Sequence, residues 1–251
     1  MAIVGHKSEK DEHTGDENTG TVAYDSSGHG NTGYITGAAW VQGKEGSALS
    51  FDGTDFVKVL NSSSINLNLY TVSCWVSFSD VNSSQVILDK RNGEWDRNYS
   101  LNYYANDTPP GKSTGNYMTG LIGDGNNLGS TYNQGAYTSF TPEANKFYYL
   151  ALTYDKSVLT LYLDGNEIAT RVMNLSGITG PGDLIIGSQG EDLQGTYGFH
   201  GVIDDVHIYD QVLSTCEIKR DMVAPVPEPS TMLLLGTGLA GLAGFRRRFT
   251  K

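Results

Sequence analysis

The 251-residue chain carries a net charge of −11. From Pro225 onward Arg246, Arg247, Arg248 and Lys251 stand against Glu228, a net of +3, which leaves −14 on the body. So acidic a body speaks against nucleic acid as a partner. With 31 glycines, 15 tyrosines and only two cysteines, the composition suits one large domain of short strands and many turns, and it excludes a disulfide framework.

Residues 1–20, including HKSEKDEHTGDENTG, are polar and unlike a core strand. Met1 to Gly5 is too short an apolar stretch for a signal peptide, so the expectation for an exported chain is a start codon further upstream or a fragmentary gene. Residues 21–222 form the body. Alternation and β-branching mark strands at SALSFDG, DFVKVL, YTVSCWVSF, SQVILDKR, YSLNYYA, YMTGLIGD, KFYYLALTYD, VLTLYLDG, EIATRVM, DLIIGS and GVIDDVHIYD. Asp52-Gly53 turns the chain between two early strands, and Asp164-Gly165-Asn166 reads as a tight hairpin. One helix is predicted over Leu213–Met222, where Ser214 caps and Glu217 follows three residues later as a capping box requires. No period of 20–50 residues appears, which excludes a solenoid or propeller. Cys74 and Cys216 read as two separate small packing positions rather than a domain-closing disulfide.

The chain ends in three parts. Residues 223–230 are a linker in which Pro227 and Pro229 fix φ and remove donors, so the backbone is extended. Residues 231–245 carry no charge and reach roughly 22 Å as a helix, short of a ~30 Å hydrocarbon core. Gly236, Ala240 and Gly244 recur every fourth residue, a spacing that permits close helix contact in a bilayer. Residues 246–251 hold Arg246, Arg247 and Arg248, which the positive-inside tendency keeps with cytoplasmic phosphates. The expectation is a transmembrane helix with a basic cytoplasmic tail; the alternative is a buried C-terminal hairpin helix.

Val226-Pro227-Glu228-Pro229-Ser230, the short apolar span and the arginine run resemble the PEP-CTERM sorting signal of Gram-negative bacteria. The resemblance implies an exosortase, a membrane-embedded cysteine transpeptidase, that recognises Pro227, Glu228 and Pro229. It also implies passage through the inner membrane to the cell surface or extracellular matrix. A second resemblance covers residues 21–222: DSSGHGNTG, ALSFDG with FVKV, TVSCWV, YYLALTYD with LTLYLDGNEI, LIIG and FHGVIDDVHIYDQVLSTCEI look like the LamG-like, concanavalin A-like jellyroll family. It implies an all-β fold, two antiparallel sheets in a jellyroll sandwich with one sheet concave. Val202, Val206 and Ile208 would feed the core, and Leu213 and Ile218 of the helix would close one end of the sandwich. The polar start departs from the family, whose members open on an apolar strand.

Asp25 and Asp204 are the best candidates for an ion site, with Asn31 adding an oxygen. Carboxylates and carbonyls of a glycine-rich loop suit a structural calcium, and the resemblance puts the two segments side by side. Asp205 would point away unless a bulge intervenes. The alternative is that Asp25 starts an Asx-turn and Asp204 is hydrogen-bonded to a neighbouring loop. Catalysis finds little support. The Glu-x-Asp-x-Glu strand of glycan hydrolases with this fold is missing, Glu94-Trp95-Asp96 coming nearest, and the five histidines show no metal spacing. Aromatics cluster between residues 95 and 137. Alternation sends Tyr99 and Tyr103 to the core and leaves Trp95 and Tyr104 as candidate sugar-stacking groups. The expected function is a non-enzymatic binding module for extracellular polysaccharide or a surface protein. The alternatives are a structural matrix protein and, behind it, a glycoside hydrolase.

Overall fold

The structure, a computed structural model, describes residues 19–92, 97–108, 113–123, 135–173, 175, 182–190 and 197–223. The linker, the apolar run, the basic tail and Trp95 lie outside the described residues, among which no helix is long and apolar enough to cross a membrane.

Within them the chain runs through β1 (Val22–Ala23), β2 (Gly33–Thr36), β3 (Ala39–Gln42), β4 (Ser47–Asp52), β5 (Phe56–Val59), a 3-10 turn (Ser63–Ile65) and β6 (Tyr70–Phe78). It continues through β7 (Gln85–Arg91), β8 (Arg97–Asp107), β9 (Gly115–Leu121), β10 (Gly135–Ser139), β11 (Phe147–Tyr154), β12 (Val158–Leu163) and β13 (Asn166–Val172). The last elements are β14 (Leu184–Ile186), β15 (His200–Tyr209) and α1 (Thr215–Asp221). Two antiparallel sheets result: an eight-stranded one ordered β1-β2-β5-β14-β7-β8-β9-β10 and a seven-stranded one ordered β13-β12-β11-β6-β15-β4-β3. They pack face to face as a jellyroll sandwich, with Val72, Cys74, Val76 and Phe78 of β6 meeting Tyr99, Leu101 and Tyr103 of β8 in the core.

All eleven expected strands are present, and the predicted hairpin sits between β12 and β13, with Asp164 and Gly165 both at positive φ (48° and 69°). That is the type I′ geometry matching strand twist. Four strands escaped the sequence reading: β1, β2, β3 and β10 have five residues or fewer and adjoin glycines, too short for a period to register.

The last strand departs from strict alternation. A bulge at Asp205, with φ 44°, takes one residue out of the ladder between Asp204 and His207. Ile203 therefore faces the core ahead of the bulge, Val206 and Ile208 follow it, and Val202 is only half-buried. The helix also sits elsewhere than expected. Leu213 and Ile218 do not close an end of the sandwich; they pack with Trp75, Tyr149, Ala151 and Tyr209 on the outer face of the seven-stranded sheet. That cover is why all nine residues of β6 are buried. Cys74 is a core residue whose thiol burial holds well above its usual range, but Cys216 lies exposed on α1 and is no packing position; both thiols are free.

The capping box forms as read. Glu217 N–H donates to Ser214 Oγ at 3.4 Å, and the Ser214 N–H donates to Glu217 Oε2 at 2.7 Å. Replacing Ser214 by Ala is expected to cost about 1 kcal/mol and lower Tm by roughly 2–4 °C in a thermal melt.

Candidate functional site

Neither sheet has a plain outer face; each carries a buried polar cluster. On the seven-stranded sheet the centre is Asp221, at the end of α1. Its carboxylate accepts from Tyr149 and Tyr209 hydroxyls, each at 2.5 Å, and from Ser73 Oγ at 2.9 Å, and it lies 3.2 Å from His207 Nδ1. Burial opposes ionisation, yet His207 and the hydroxyl donors outweigh it and hold this carboxyl well below the usual range. The same burial and the facing carboxylate drive Tyr149 and Tyr209 far above the normal phenol range. Every member has a partner in the cluster, so it acts as a clamp that docks α1 on the sheet.

The eight-stranded sheet differs. In β8 the register pairs Arg97 with Arg91 and Tyr99 with Lys90, leaving Asn98 as the extra residue of a bulge. The bulge brings Arg97 onto the same outer face as Ser100, Asn102 and Tyr104, while Tyr99, Leu101 and Tyr103 point into the core. Asp89, opposite Ser100 on β7, accepts from Arg97 Nε at 2.9 Å, and the two side chains are 0% and 3% exposed. Its other oxygen lies 3.1 Å from Arg91 Nε, too far off line for a hydrogen bond, so that contact is electrostatic. Beside them the Ser100 hydroxyl lies 3.0 Å from Asn102 Oδ1, and Asn102 faces Thr119 across the β8–β9 ladder.

This cluster is incompletely satisfied. Arg97 Nη1, Asn102 Nδ2, Thr119 Oγ1 and Asp89 Oδ2 are all buried without a hydrogen-bond partner. Each such group costs about 1–3 kcal/mol, and a buried ion pair is often no more stabilising than apolar residues of equal volume. A sandwich needs none of them for its fold, which marks this face as the candidate site. Aromatic rings edge it. Tyr104 stands edge-on to Tyr197 at 6.4 Å, and Tyr117 to Tyr137 at 6.3 Å, with Tyr197 42% exposed. Burial pushes the Tyr104 hydroxyl up to about 12, and the neighbouring Arg97 charge tempers the rise.

The residues predicted from sequence are distributed unevenly. Tyr104 belongs to this face; Trp95, Glu94 and Asp96 lie outside the described residues, as do Pro227, Glu228, Pro229, Arg246, Arg247 and Arg248. The three expected calcium ligands do not converge. Asp25 and Asn31 do meet: Asp25 accepts from the backbone N–H groups of Ser27 (2.8 Å) and Asn31 (2.9 Å), and Asn31 Oδ1 accepts from Ser62 and Ser64 hydroxyls. Asp204 instead lies in the other sheet and accepts from Lys44, Glu45 and Asp205 N–H groups, tying down the β3–β4 turn. Oxygens committed to N–H donors make a poor cation cage, and no group of three or more His, Cys, Asp or Glu suited to a metal occurs among the described residues. Burial, with Asp205 adjacent, pushes Asp204 up to about 6. Asp89, Arg97, Asn102 and Thr119 were missed from sequence. Their one signal was a charge, Asp89 or Arg97, placed inside or beside a run that otherwise reads as strand.

Comparison with known proteins agrees with this architecture. The family model of the concanavalin A-like lectin/glucanases superfamily matches residues 51–219, and that of the PEP-CTERM protein-sorting motif matches residues 225–248. No curated protein matches the chain. Among solved structures, domain 4 of AbnA, an extracellular arabinanase from Geobacillus stearothermophilus solved with arabinotriose, superposes with a TM-score of 0.60 at 18% identity, covering 82% of this chain and 94% of that one. A putative carbohydrate binding protein from Bacteroides ovatus gives 0.56 at 19% identity over 72% of this chain and 48% of that one. Trypanosoma rangeli sialidase gives 0.61 at 15% identity over 82% of this chain, which spans only 31% of that enzyme. At such identities the likeness concerns the fold alone. With more than half of its length matched by the family model, the chain belongs to the concanavalin A-like lectin/glucanases superfamily and ends in a PEP-CTERM protein-sorting motif.

Proposed function

We propose that this protein is a non-catalytic glycan-binding module, delivered to the cell surface or extracellular matrix after an exosortase cuts near Pro227-Glu228-Pro229, and that the outer face of its eight-stranded sheet binds the sugar. The observation that carries the binding reading is the group of orphaned polar atoms on Arg97, Asn102 and Thr119 beside the half-buried ring of Tyr104. Sugar sites combine an aromatic surface with a few converging polar groups, and this face has both. The domain of the arabinanase solved with arabinotriose and the carbohydrate binding protein of the same fold are consistent with it. Catalysis is not favoured, because a glycosidase needs two carboxyls about 5–9.5 Å apart and Asp89 has both oxygens facing guanidinium groups.

Titration of the full chain against an oligosaccharide panel that includes arabinotriose tests the reading. Binding is expected, and Tyr104→Ala should weaken it at least about tenfold, the loss of one aromatic anchor. A panel with no binding, or affinity indifferent to Tyr104→Ala, overturns it. Delivery is tested separately by mass spectrometry of the C-terminus in hosts with and without exosortase. A new terminus between Pro225 and Ser230 is expected only in the competent host, and an intact tail in both removes the sorting reading.

A further inference from the structure

We infer that the sugar this face takes is acidic: a uronate whose carboxylate seats on Arg97 and Asn102. The inference rests on the glycan-binding reading and narrows it.

The guanidinium groups are the first support: those of Arg97 and Arg91 both face Asp89, and the charge of Asp107 also reaches Tyr104 on this face. The donor inventory is the second. Arg97 Nη1 and Asn102 Nδ2 can only donate, and Thr119 Oγ1 is able to; the one orphaned acceptor, Asp89 Oδ2, already lies against Arg91. A neutral diol brings a donor with every acceptor and so asks for free acceptors as well. A carboxylate brings about four lone pairs in one plane and no donor, which is what a guanidinium edge and an amide N–H₂ match.

Contiguity is the third. Arg97 reaches Asp89 at 2.9 Å, Asp89 stands opposite Ser100, Ser100 touches Asn102 at 3.0 Å, and Asn102 stands opposite Thr119. Arg97 and Asn102 thus share β8, and Thr119 faces Asn102 from β9. Asp89 is then a positioning residue: it grips Arg97 by Nε and leaves Nη1 without a protein partner. The acidity of the rest of the body does not forbid an anionic sugar, because exposed charges more than a Debye length away, about 8 Å at physiological ionic strength, are largely screened.

The test pairs two probes that differ at the carboxyl group alone, tetragalacturonate and its fully methyl-esterified form, titrated against the full chain by calorimetry. The acid is expected to bind about 10- to 100-fold tighter than the ester, the worth of a hydrogen bond to a charged group. Arg97→Lys and Asn102→Ala should each erase most of that preference for the acid over the ester. If Arg97→Lys fails to fold, Asn102→Ala, which leaves the Asp89 ion pair intact, carries the test. Equal affinity for acid and ester, or binding of arabinotriose with neither, overturns the acidic-sugar inference and leaves the glycan reading standing. No binding to any sugar overturns both.

Discussion

Replacing Asp221 by Ala is expected to lower stability by about 3–5 kcal/mol, the range for removing one partner of a buried charged network. At roughly 2–4 °C per kcal/mol for a domain of this size, Tm falls by about 6–20 °C. The reason is geometric: Tyr149, Tyr209 and Ser73 hydroxyls and His207 all converge on this one carboxylate, and without it they are buried beneath α1 with no acceptor. The helix should loosen, and Trp75, 7% exposed against Tyr149 under it, should show red-shifted fluorescence. A loss below about 1 kcal/mol would mean that α1 is held by Leu213 and Ile218 alone. A pH dependence follows with a definite sign. The folded-state carboxyl is held well below the ordinary aspartate value of about 3.9, so its contribution is fully present above that value and is lost as pH falls through the more acidic range beneath it. Asp221→Asn should therefore flatten the acid limb of the Tm–pH profile.

The second large effect concerns Asp89. Asp89→Ala leaves the guanidinium of Arg97, 3% exposed, without its counter-ion, and is expected to cost about 3–5 kcal/mol in a denaturant melt. The double variant Asp89→Leu/Arg97→Met removes both charges together. It is expected to lie within about 1–2 kcal/mol of the parent or above it, because replacing a whole buried pair by apolar side chains is often neutral or stabilising. It should also bind no glycan. Stability regained with binding lost would show that the ion pair serves the site at the expense of the fold; a double variant as unstable as the single one would show that it serves the fold.

Much of the architecture was legible because its signals are local. The nine residues of YTVSCWVSF form β6 with the bounds read from sequence, and the capping box at Ser214 and Glu217 and the Asp164-Gly165 turn all depend on residues a few positions apart. Where a long-range contact decides the outcome, the sequence reading failed. Two bulges are the clearest cases. Asn98 and Asp205 look like ordinary strand residues, yet each shifts every side chain beyond it to the other face. One moves Arg97 out of the core to meet Asp89; the other replaces Val202 with Ile203 as a core residue. The two carboxylates of the expected ion site illustrate the same dependence, since Asp25 and Asp204 each accept from N–H donors of a nearby loop.

By itself the sequence determined the sandwich class, most of its strands, the existence of the C-terminal helix of the body and the sorting motif, because period-2 alternation, caps, turns and the Pro-Glu-Pro tail are written in contiguous residues. The tertiary structure alone decided which polar side chains share a face. That depends on strand order and bulge position, and it put the Asp89–Arg97 pair with Asn102 and Thr119 on one sheet and Asp221 with its hydroxyl donors on the other. A charge in the middle of an alternating run carries no mark of its partner, which is supplied by a strand that the chain reaches only after a turn.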